Sequence, residues 1–66
     1  MQYWNADSID SVYSIDGVWS IKGILFPDGR KKWKVNRNYI VDGASYIVWE
    51  TSFDTVTQAK AYCEIN

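Results

Sequence analysis

The stretch VWSIKGILFPDGRKKWKVNRNYIV, residues 18–41, decides the fold. Two runs rich in β-branched and aromatic residues flank Pro27-Asp28-Gly29. Asp-Gly between apolar runs signals a hairpin, because Gly takes positive φ without strain. With Pro preset for the first turn position, the trio fits a type I turn closed by a left-handed Gly, a three-residue loop with a bulge. That loop opposes Leu25 with Lys31, Gly23 with Trp33, and Ile21 with Val35. Trp33 then covers Gly23, as an aromatic does when it shields a strand glycine. A two-residue loop would move Trp33 beside Ile24, and a one-residue slip turns every side chain to the other face.

Outward from this hairpin the same signal recurs at Asp16-Gly17 and Asp42-Gly43. The spacing predicts an α+β fold. Its sheet is an antiparallel β-meander of three to four strands over about 11–15, 18–26, 31–41 and 46–53. Asp42-Gly43-Ala44, taken as a second three-residue loop, opposes Tyr39 with Ile47, Arg37 with Trp49, and Trp33 with Phe53. The expected inner face is Trp19, Ile21, Leu25, Trp33, Val35, Tyr39, Ile47, Trp49 and Phe53. A bulge within Asn36-Arg37-Asn38 would alter the second half of that set. Tyr3, Trp4, Phe26 and Tyr62 are assigned to neither face.

After Phe53 the period changes. Asp54 or Thr55 can cap a helix, and Thr55-Val-Thr-Gln58 has capping-box spacing. Val56, Ala59 and Cys63 follow at helical spacing, which predicts a C-terminal helix over about 55–65 packed on the Trp-rich face.

Composition narrows the function classes. The 66 residues fit a single domain, 1–66. Eleven are aromatic, and there is one Cys and no His. A disulfide framework is impossible, and a structural zinc site lacks ligands. Histidine acid–base chemistry and catalytic triads are excluded. No run approaches the ~18 apolar residues of a membrane span. The opening MQYWNADS lacks the basic-then-apolar pattern of a secretory signal, so a cytoplasmic location is expected. The aromatics take the place of the staples that other small domains need.

Charge is uneven although the net is only −1. Residues 22–37 hold six bases against Asp28 alone, while the flanking segments are acidic. In the register above, Lys22 opposes Lys34 and Ile24 opposes Lys32 on the face away from the helix. Tyr13, Ser20, Asn36, Tyr46 and Val48 are expected there too, with Arg30 at its turn. Lysines can simply solvate an open sheet face and block aggregation. Interleaved with aromatics, they can also contact phosphates and bases or an acidic protein. The candidate binding residues are therefore Tyr13, Lys22, Ile24, Arg30, Lys32, Lys34, Tyr46 and Val48.

Signs of chemistry are lacking. Cys63 lies on the apolar helix stripe, where a structural thiol is expected. Asp16, Asp28 and Asp42 are explained by turns. No cofactor, metal or catalytic residue is assigned, and the chain is not expected to be an enzyme.

The ending Thr51-Ser-Phe53-Asp-Thr55-Val-Thr-Gln-Ala59-Lys60-Ala-Tyr62 is similar to the closing strand and helix of small phage and prophage accessory proteins. It also resembles integrase arm-site DNA-binding domains, in which a three-stranded sheet lies on a C-terminal helix. That second resemblance implies DNA contact by Lys22, Lys32 and Lys34. In type, the chain looks like small phage inhibitors of host defence, including anti-CRISPR proteins. The first expectation is a phage-encoded inhibitor that docks on a protein partner in the host cytoplasm. The alternatives are a nucleic-acid-binding sheet domain and a self-associating structural protein, as monomer or homodimer.

Overall fold

A computed structural model describes residues 4–66; Tyr3 lies outside them. The order is β1 (Trp4–Ser8), β2 (Ser11–Ser14), β3 (Trp19–Leu25), β4 (Lys31–Val41), β5 (Ala44–Phe53) and α1 (Val56–Ile65). The strands form one antiparallel sheet in the order β1-β2-β3-β4-β5. The fold is α+β, a five-strand meander with one helix packed on it. The meander has one strand more than predicted. The extra strand, β1, reads WNADS, poor in the β-branched residues that mark strands. It is held by pairing with β2, and Trp4 packs half-buried against the core.

The central hairpin has the predicted register: Leu25 faces Lys31, Gly23 faces Trp33, and Ile21 faces Val35. Its loop is the three-residue one. The Gly29 amide donates to the Phe26 carbonyl at 2.9 Å, the Phe26 amide donates to the Arg30 carbonyl at 2.8 Å, and Gly29 has φ +85°. A Cβ placed on Gly23 would stand 3.1 Å from the Trp33 ring, so the indole does lie over the glycine.

The next hairpin departs from its expected register. Val41 pairs with Ala44, leaving a two-residue Asp42-Gly43 loop in which both residues have positive φ, 53° and 80°. That is the type I′ turn, whose twist matches the strands it joins. Near the sheet Trp33 still faces Phe53 and Val35 faces Thr51, but Asn36 faces Trp49. Glu50 is the extra residue of a bulge. The shorter loop and the bulge together invert the faces of residues 45–49.

The core is Trp19, Ile21 and Val35 from the sheet with Ala59 and Cys63 from α1. Trp33, Phe53, Val56 and Tyr62 pack around it. Tyr62 stands edge-on to Trp19, centroids 6.0 Å apart, and also meets Phe53. The Thr55 hydroxyl accepts from the Gln58 amide at 3.2 Å and starts the helix. Leu25 and Tyr39 have the inner orientation but lie outside the helix footprint and are exposed. Ile47 and Trp49, expected in the core, point to the opposite face and are 69% and 55% exposed.

Candidate functional site: the open face of the sheet

α1 covers one face, and the other is open. Alternation from the observed register puts Tyr13, Ser20, Lys22, Ile24, Lys32, Lys34, Asn36 and Asn38 on the open face. β5 adds Ile47 and Trp49. Sheet twist curves this face into a concavity of about 440 Å³, whose walls include Tyr13, Lys22, Ile24, Lys34, Asn36 and Ile47. Beside it lies a smaller, mostly apolar notch of about 240 Å³ formed by Ile24, Leu25, Phe26, Pro27, Lys34 and Trp49.

Lys22 and Lys34 sit directly opposite each other. Like charges so placed repel, a cost that folding must bear. Among the described residues, neither has a carboxylate partner. Lys31 differs: on the helix-side face, it pairs with Asp10 and lies over Trp33. Lys34 is held over Trp49, Nζ 4.7 Å from the ring centroid, and Lys32 lies 5.7 Å from that of Phe26. These contacts orient the ammonium groups and leave their remaining donors for an anion.

The structure separates the predicted residues. Tyr13, Lys22, Ile24, Lys32 and Lys34 share the open face. Arg30 stands at the β3–β4 turn, its amide donating to Asp28 Oδ1 at 2.9 Å. Tyr46 and Val48 are corrections: they pair with Tyr39 and Arg37 and therefore point to the helix side. Trp49 and Ile47 take their places. The missed signal was Asp-Gly itself, whose preference for two-residue loops makes Ala44 a strand residue. Phe26 and Pro27 carry no strand-face signal, because Phe26 flanks the loop and Pro27 is its first residue.

Among the described residues, no group of three or more His, Cys, Asp or Glu side chains could hold a metal ion, and no helix is long and apolar enough to cross a membrane. Cys63 is buried, and burial followed by the Glu64 charge pushes its thiol up to about 11. At neutral pH it is therefore a protonated packing group. Comparison with protein-family models, curated proteins and solved structures finds no match for the chain. The reading of function rests on the surface.

Proposed function

We propose that the chain is a non-enzymatic binding module whose open sheet face docks an acidic segment of a protein partner. It would act as an inhibitor does, by occupying the partner. The observation that supports this reading most is the Lys22–Lys34 pair, which has no ion-pair partner among the described residues although Asp7 lines the same concavity, beside the apolar notch at Trp49. A carboxylate placed between the lysines would relieve their repulsion. An apolar side chain entering the notch would meet Trp49 and Ile24, and a buried Trp is a frequent anchor of binding energy. The resemblance to small phage inhibitors agrees with such a role.

A second reading is favoured by the two lysines held over aromatic rings on this face, a pattern that also suits single-stranded nucleic acid. One experiment separates the two. Immobilised protein is challenged with source-cell lysate, with and without nuclease. The docking reading expects a protein retained after nuclease treatment and lost with Lys34→Glu and with Trp49→Ala. Retention that depends on nucleic acid, or that ignores both substitutions, overturns it. Direct RNA or DNA binding that weakens steeply with salt would support the second reading.

A further inference from the structure

We infer that the free edge of β5 pairs with β5 of a second copy, antiparallel and centred on Ile47. The inference starts from the protruding β4–β5 hairpin. Tyr39, Ile40, Val41, Tyr46, Ile47, Val48 and Trp49 are all exposed, and they occupy both of its faces. A partner laid on one face would leave the other bare. The edge touches both faces at once.

Backbone geometry picks the centre. In a two-residue hairpin the residues flanking the loop exchange both hydrogen bonds, and hydrogen-bonded pairs then alternate along the ladder. Val41–Ala44, Tyr39–Tyr46 and Arg37–Val48 are the bonded pairs. Asn38–Ile47 is not, and the Asn38 amide indeed turns the other way to donate to the Val18 carbonyl at 2.7 Å. The N–H and C=O groups of Ser45, Ile47 and Trp49 therefore point out of the sheet at the free edge. A twofold axis beside Ile47 makes Ile47 a bonded pair with its own copy and matches Ser45 with Trp49. Every outward group of these three residues then has a partner.

Side chains agree with that register. Tyr46 falls beside Val48 of the second copy, an aromatic–β-branched pair of the favourable kind. On the other face Ile47 meets Ile47. Glu50, the only charge in residues 44–50, faces Ala44, so no like charges meet. Edge strands usually block such pairing with Lys, Pro or a bulge; residues 44–49 have none of these, and the bulge at Glu50 ends the regular stretch. The opposite edge, β1, covers five of the described residues and is interrupted by a bulge at Asp7 after Ala6. The proposal does not rest on the docking reading: Lys22 and Lys34 stay open in the paired form, while Ile47 and Trp49 belong to both surfaces.

Sedimentation equilibrium tests it. Wild type is expected to show a concentration-dependent mass rising from 7.7 kDa to about twice that value. Ile47→Pro removes the central outward amide without touching a bond to β4, and Ile47→Lys places a charge at the twofold. Each is expected to stay at monomer mass and to unfold cooperatively in urea as a folded chain does, while Ile47→Val still dimerises. If one of the two disruptive variants fails to fold, the other decides. Wild type that stays monomeric over the whole range overturns the proposal. So does a folded Ile47→Pro or Ile47→Lys that dimerises as wild type does.

Discussion

The two halves of β4 have the same neighbour β5 and a similar apolar pattern, yet they end in different surroundings. Trp33–Arg37 lies between β3 and β5 under α1, and Val35 is fully buried. Beyond Arg37 no residue of β4 pairs with β3, and Ile40 is 77% exposed. The cause is length. α1 has ten residues and spans about 15 Å. β4 has eleven and spans about 36 Å. One helix can roof less than half of the strand. Arg37 marks the border, its guanidinium 5.1 Å from the Trp19 ring on the covered side and 5.2 Å from Tyr39 on the bare side. Alternating apolar residues fix a strand's register, but burial depends on what is long enough to cover it.

The sharpest way to break this contrast is to truncate one residue in each half. Ile21→Ala opens a cavity in the covered half and is expected to cost about 3 kcal/mol in urea unfolding, against under about 0.5 kcal/mol for Ile40→Ala. Equal costs would show that the hairpin is packed after all. High pH should act on the covered half through Cys63. Its thiol ionises at 9.0 without burial and at about 11 in the fold, so the unfolded chain loses the proton first. That stability is complete below pH 9 and is lost as pH rises to about 11, roughly 3 kcal/mol in all. Cys63→Ala should reduce the fall in unfolding free energy across that window; an unchanged slope contradicts the assignment. Thr55→Ala removes the helix cap and is expected to cost about 1 kcal/mol. Hydrogen exchange should then speed in α1 before it speeds in β3. If β3 loosens equally, the helix does not act as a separate roof.

Much of the covered half was legible in the sequence. Pro27-Asp28-Gly29 fixed one loop, that loop fixed the pairs from Leu25–Lys31 to Ile21–Val35, and Thr55 announced the helix. Their signals are local and strong. The distal hairpin was misread because two loop lengths suit Asp-Gly followed by Ala44, and the choice between them moves Tyr46 and Val48 to one face or the other. The bulge at Glu50 carries no residue signature and arises from pairing a twisted edge strand. β1 was unreadable for another reason. Asn5, Ala6 and Asp7 have no strand preference, and only the waiting edge of β2 makes them one. Tyr62 borders the helix stripe, so its spacing favours neither face, and only the helix position over Trp19 and Phe53 brings its ring inward. On the open face, the lysines were found from alternation, while Trp49 depended on the distal register and was lost with it.

The smallest effect is the most discriminating. Asp42 holds φ +53°, a left-handed conformation that Asn accepts more readily than Asp in this type of turn. Asp42→Asn should therefore stabilise the hairpin by a few tenths of a kcal/mol. If the distal half opens by itself, its amides exchange through that local opening, at a lower free energy than global unfolding. Exchange at Tyr46 and Val48, whose N–H groups face β4, should slow up to about twofold in the variant, with an opening free energy that stays below the one from urea unfolding. An opening free energy equal to the global one would mean that the hairpin unfolds only with the core. The two halves of β4 would then differ in exposure but not in cooperativity.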